Sequence, residues 1–262
     1  MSPFIGLYKK EMKISRNTDL MVIGFMLLAE IIGYSLSTYY QNPIIFAIIS
    51  LGLIFAHIFF IPAYLLTSLN IEGQTQLWLH NPTSGVKLFL AKIAASFTVF
   101  ILSLLATLLI GGYAISQALS LSELNTLKVD LYTSLPLSGI GIALSSIYLG
   151  VWILFYWALY HSIKVIPSIK GFRWLIIIGI WLLFNIIGNY LSRLSFIDKL
   201  KAFGAFKFDR TNNSITVKAE NSSFELGGVF FNLSLGNALL YMVVITIVFY
   251  AAVWLLERKV EV

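Results

Sequence analysis

A chain of 262 residues that is 58% hydrophobic, 15% aromatic and only 11% charged, with a mean hydropathy of +0.86, has too little polar surface to cover a globule in water. The composition is that of a membrane protein, and the absence of cysteine excludes disulfides, thiol catalysis and Cys-ligated metals. A net charge of +6 does not mark a nucleic-acid binder, because Lys and Arg are scattered through the segments that flank apolar runs.

The first residues, MSPFIGLYKKEMKISRN, place their positive charges after the apolar ones, the reverse of a secretory signal, so the N-terminus is expected to be retained. Residues 1–17 set Phe4, Ile5, Leu7, Tyr8, Met12 and Ile14 against Lys9, Lys10, Glu11 and Lys13, a pattern that predicts an interfacial helix on the headgroups. Apolar runs long enough to span a bilayer then follow at 19–40, 43–69, 85–117, 135–163, 174–191 and 237–256. The second holds His57 and Pro62. The third exceeds the roughly 20 residues a span needs, and predicts a tilt, a protrusion or a break at Gly111-Gly112.

Three connections carry information. Residues 70–84 hold Glu72, the run Leu77-Trp78-Leu79 and a stop at Asn81-Pro82, which predicts a short helix over about Gln74–His80 lying across the membrane surface. Two readings apply to it: an interfacial loop with an aromatic anchor, or a docking helix that enters a groove on a soluble partner. The longest connection, 192–236, alternates Phe206, Phe208, Ile215 and Val217 about Arg210–Asn213, predicting a β-hairpin, and its Phe224–Leu235 stretch predicts a re-entrant or interfacial helix. The segments on the N-terminal side carry more Lys and Arg than the opposite ones, which puts both termini in the cytoplasm. The fold class is therefore an all-α membrane protein: a single domain over 1–262 with six spans, an interfacial helix, a cytoplasmic surface helix and a small external hairpin.

No phosphate-binding loop, HExxH pair, nucleophile elbow or converging acid–base set occurs, so the sequence does not point to an enzyme, a metal site or a cofactor of its own. Four intramembrane residues are candidates for a substrate pathway: Glu30, His57, Asn185 and Asn189. Glu30 costs roughly 2.5–3.5 kcal/mol to insert; it contacts either a cationic substrate or a neighbouring helix. His57 reads mainly as a satisfied core histidine, and Asn185 and Asn189, at i and i+4, as a helix–helix contact. Gly139 and Gly141 read as sites of close helix packing.

Glu72, Leu77, Leu79, Pro82 and Ser84, followed by Lys92 in the next helix, form a Glu-containing segment ending in Leu-x-x-Pro-x-Ser between spans two and three. With six spans and a cytoplasmic start, this resembles the ABC-2 type ABC transporter permeases, and the wording LWLHNPTSG is most similar to Gram-positive permeases of phenol-soluble modulin and antimicrobial-peptide exporters. The resemblance implies a coupling helix over about Gln74–His80, with Glu72, Gln76, Leu77, Trp78, Leu79, His80 and Pro82 as coupling residues, seated on a separate ATPase subunit that binds ATP and magnesium. It implies a second permease chain, identical or not, in a bacterial cell membrane, and an amphipathic peptide or lipid-like substrate. The connection 192–236 departs from the family's short re-entrant hairpin and suggests a lid. Rival readings are a stand-alone secondary carrier, an intramembrane enzyme, and an immunity or sensor protein that transports nothing.

Overall fold

The computed structural model describes residues 3–75, 83–121, 131–164, 170–202, 215–219, 222–226 and 235–259. Its helices are α1 (Pro3–Tyr39), α2 (Pro43–Ala56), α3 (Phe60–Thr75), α4 (Gly85–Leu119), α5 (Leu131–Lys164), α6 (Arg173–Ser192), α7 (Ser195–Ala202) and α8 (Leu235–Lys259). Among the described residues, six helical stretches are long and apolar enough to cross a membrane: Pro3–Tyr39, Pro43–Gly73, Gly85–Leu119, Ser134–Ile163, Arg173–Ser192 and Ala238–Arg258.

The expected separate interfacial helix is not found. Residues 3–39 form one continuous helix of 37 residues, about 55 Å long at 1.5 Å per residue, against a hydrocarbon core of about 30 Å. The polar run around Ser15 and Asp19 does not break it: Ser15 Oγ bonds the Glu11 carbonyl one turn back and the Asp19 carboxylate one turn on, and lies 2.8 Å from the Tyr64 hydroxyl of α3. Leu7 and Glu11 are buried while Lys9, Lys13 and Arg16 remain exposed, so the first turns are packed against protein on one face.

The second span is interrupted where Pro62 requires it. A proline ring clashes with the carbonyl four residues back, and a 3-10 turn over His57–Phe59 separates α2 from α3. The backbone N–H of Ile61 then donates to Ser146 Oγ of α5 at 3.2 Å. The helix after it runs on to Thr75, past the expected end of the span at Leu69.

The long third span does not break at Gly111-Gly112. These glycines serve close approach instead: a Cβ on Gly111 would lie 2.8 Å from Ile54 Cδ1 of α2, and one on Gly112 would lie 2.9 Å from Leu135 Cδ1 of α5. Gly139 approaches α4 in the same way, its Cβ position 2.8 Å from Leu108 Cδ1. The buried core runs between α3, α4, α5 and α8 through Ile61, Leu65, Phe89, Phe100, Leu154 and Ala252. By contrast, none of the apolar stretch of α6 is buried.

In the long connection after α6, the helix α7 was not expected. The expected turn at Arg210–Asn213 lies outside the described residues, as does 227–234. Strands β1 (Ile215–Ala219) and β2 (Ser222–Leu226) pair antiparallel, with Ile215 opposite Leu226 and Val217 opposite Phe224. The hairpin predicted about residues 210–213 is thus corrected: Ile215 and Val217 belong to the leading strand, and Phe224–Leu226 is strand rather than helix. This register matches apolar positions with one another across a link of two residues, a favoured hairpin length.

Candidate functional site

Two helices meet along stripes of polar residues spaced four apart. On α1 the stripe is Glu11, Ser15 and Asp19; on α3 it is Tyr64, Ser68 and Glu72. A spacing of four keeps side chains on one helix face, and the antiparallel helices zip these faces together. Ser68 Oγ donates to Glu11 Oε2 at 2.8 Å, Ser15 Oγ lies 2.8 Å from the Tyr64 hydroxyl, and Ser15 Oγ donates to Asp19 Oδ2 at 2.7 Å.

Lys92 of α4 closes the stripe at its outer end. Its ammonium has no exposed surface and reaches three oxygens: Ser68 Oγ at 2.6 Å, Glu11 Oε2 at 2.9 Å and Glu72 Oε2 at 3.0 Å. Ser68 and Glu11 accept hydrogen bonds from it, and Glu72 Oε2 is held as an ion-pair contact. Lys10 adds the second cation, bonded to Glu72 Oε1 and 3.7 Å from Glu11 Oε1. Two carboxylates and two ammoniums balance. Burial of such a set is sustainable because each charge is both paired and hydrogen-bonded.

This cluster borders the connection 76–82. Next to Glu72, Asn70 Oδ1 accepts from Trp157 Nε1 of α5 at 3.1 Å, and a Cβ on Gly73 would lie 3.2 Å from Trp157 Cζ2. On the far side of the connection the first N–H of α4, at Gly85, donates to Glu257 Oε1 of α8 at 2.8 Å. The chain enters and leaves 76–82 through helix ends clamped to α1, α5 and α8. Movement applied to the segment would pass to these helices, since packed helices shift as units.

Among the expected coupling residues, Glu72 lies in the cluster, whereas Gln76, Leu77, Trp78, Leu79, His80 and Pro82 lie outside the described residues. Ser84 precedes α4 with extended backbone and no side-chain cap bond. Sequence reasoning singled out both Glu72 and Lys92 but not their contact, and it missed Lys10, Glu11 and Ser68. The spacing Tyr64-Ser68-Glu72 on an otherwise apolar helix was the signal available for them.

The intramembrane candidates lie apart from this cluster, and Glu30, His57 and the Asn185–Asn189 pair lie on different helices. Glu30 is 5% exposed and accepts from Ser50 Oγ of α2 at 2.6 Å, while its Oε1 has no hydrogen-bond partner among the described residues. His57 is fully buried, with Nδ1 2.8 Å from the Leu53 carbonyl and Nε2 3.0 Å from Ser103 Oγ. A neutral ring with its proton on Nδ1 satisfies both contacts. Asn185 and Asn189 sit on exposed α6, and Asn185 Nδ2 donates to the Trp181 carbonyl of its own helix at 2.8 Å. No group of three or more His, Cys, Asp or Glu suited to a metal occurs among the described residues.

Over 189 residues the chain is 29% identical to a Bacillus subtilis (strain 168) protein, YhcE, described as uncharacterized; the match covers 71% of this chain and 73% of that one. No family model matches the chain. No solved structure matches it either. With six long apolar helices, the chain is a multi-pass membrane protein similar over most of its length to that Bacillus protein.

Proposed function

We propose that this chain is the membrane-spanning subunit of an ATP-driven exporter of the ABC-2 type, and that the segment 76–82 docks on a separate ATPase subunit. The observation that carries the reading is the buried Glu72–Lys92 contact, at 3.0 Å, which braces the two helices bounding that segment. A connection that only joined two spans would not need a charged brace in a protein interior, where such groups are costly. The Leu77-Trp78-Leu79 run supplies an apolar face for a soluble partner.

Hydrolysis of ATP belongs to the partner, and this chain contributes the pathway and the mechanical link. A second permease chain, identical or homologous, would cover α6, whose apolar stretch is unburied and which carries Asn185 and Asn189 on its exposed surface. Polar residues in a span normally face protein or water. Both termini would lie in the cytoplasm of a bacterial cell, and amphipathic compounds would be the exported class.

The test is co-expression with candidate ATPase subunits from the same operon, followed by purification through a tag on this chain. A stoichiometric complex that is lost in Trp78→Ala supports the reading. Purification of the chain alone under conditions in which the ATPase is folded contradicts it.

A further inference from the structure

Beyond the ion cluster, α1 and α3 part to leave a hollow of about 280 Å³ walled by Val22, Met26, Phe59 and Phe60, with Asp19 and Tyr64 among its lining residues. A smaller hollow continues it toward Ser15 and Ile71 and shares Asp19 and Tyr64. Together they make one groove along the two helices.

Asp19 is 8% exposed and receives a hydrogen bond from Ser15 Oγ, and no cation lies within ion-pair distance of it among the described residues. The nearby ammoniums of Lys10 and Lys92 are taken up by Glu11 and Glu72. Arg16, on the same helix, is exposed and makes no ion pair among the described residues. An ionised carboxylate placed this way, among Thr18, Tyr64 and Thr67 at the end of an apolar wall, is costly unless it takes up a proton or something positive comes to it.

The depth is also informative. Asp19 follows the exposed polar residues Arg16, Asn17 and Thr18 and precedes the apolar run of α1, so it stands at the boundary between headgroups and hydrocarbon. Phe59, 66% exposed, stands at the rim, and the groove opens sideways where lipid would lie. Its volume is near the lower end of the roughly 300–1,000 Å³ typical of small-molecule sites, enough for a cationic head and the first carbons of a tail.

We infer that this groove binds a single-tailed cationic amphiphile that enters laterally from the bilayer, its ammonium against Asp19 and its tail along Val22, Met26 and Phe60. An anion would face the Asp19 carboxylate, and a neutral amphiphile would leave that carboxylate uncompensated. Binding at this site is independent of any ATPase, so it stands or falls separately from the exporter reading.

The test uses the full chain in dodecyl maltoside micelles and radiolabelled dodecyltrimethylammonium as the probe, measured by equilibrium dialysis against protein-free micelles. Wild type should bind the probe saturably, and dodecyl sulfate should not displace it. Asp19→Asn keeps the shape and should weaken binding about tenfold or more. Ala63→Phe, at an exposed position lining the groove, should abolish binding while the Asp19 carboxylate remains. No saturable binding to wild type, or undiminished affinity in either variant, overturns the inference. If Asp19→Asn does not fold, Ala63→Phe decides alone. Loss of a dimer in Ala63→Phe, with no probe bound by wild type, would show a second copy of the chain in the groove and equally overturn it.

Discussion

Glu72 near the end of α3 and Lys92 two turns into α4 face each other at 3.0 Å across a fully buried ammonium. The pair joins the helices on either side of the one connection that carries a docking-type sequence. Glu11 and Lys10 of α1 complete the charge balance.

Removing one member of this set should be much worse than removing two. Lys92→Met leaves two buried carboxylates sharing the Lys10 ammonium, with one negative charge uncompensated, and is expected to cost about 3–5 kcal/mol. Glu72→Leu combined with Lys92→Met leaves the neutral couple Lys10 and Glu11, and should recover much of that loss. Thermal unfolding in detergent of the two single variants and the double measures the coupling; additive losses would mean that the contact carries no shared energy.

The approach of α5 to α3 depends on Gly150. A Cβ there would lie 2.9 Å from Ile61 Cγ2 and 3.1 Å from Leu65 Cδ1, and both neighbours are fully buried. Gly150→Ala should therefore destabilise by about 1–3 kcal/mol, and Gly150→Val by more. An unchanged melting temperature for the valine variant would show that the helices separate freely.

Ser146 answers for the backbone group that the Pro62 break leaves open. Ser146→Ala withdraws the acceptor from Ile61 N–H, and should lower stability by about 1 kcal/mol, within the range seen for interhelical bonds in membranes. Hydrogen exchange at the Ile61 amide should accelerate in the same variant, whereas protection equal to wild type would assign that amide another acceptor.

Glu30 meets Ser50 in the contact between α1 and α2 and does not line the groove that contains Asp19. Glu30→Gln keeps an oxygen for the Ser50 hydroxyl and should leave folding within about 1 kcal/mol of wild type. It should leave probe binding in the Asp19 groove untouched. A fall in export with folding and probe binding preserved would place Glu30 on the substrate path; unchanged export would remove it from that path.

The spans were legible because apolar runs of sufficient length have few soluble alternatives; the break in the second span at His57–Phe59 was not expected, although Pro62 was the residue that could have signalled it. The continuity of α1 was not legible either, since a basic amphipathic start followed by an apolar run reads as two helices, and the contacts that hold Glu11 and Ser15 to Ser68 and Tyr64 of α3 are revealed by no local pattern. Lys10 and Glu11 were assigned to the headgroup face for a similar reason: a charge beside an apolar stripe is usually solvated, and only α3 and α4 bring it partners. Glu72 and Lys92 stood out as motif residues, but a motif carries no information about what its members touch.

The measurement that tests the central claim most directly is ATP hydrolysis by the complex reconstituted in lipid, comparing wild type with Glu72→Gln and Trp78→Ala. The account predicts that Trp78→Ala loses the ATPase from the complex, whereas Glu72→Gln retains it and loses stimulation of hydrolysis by transported substrate, because the dock remains and its brace does not. Hydrolysis and its stimulation equal to wild type in both variants would contradict a coupling role for this end of the molecule.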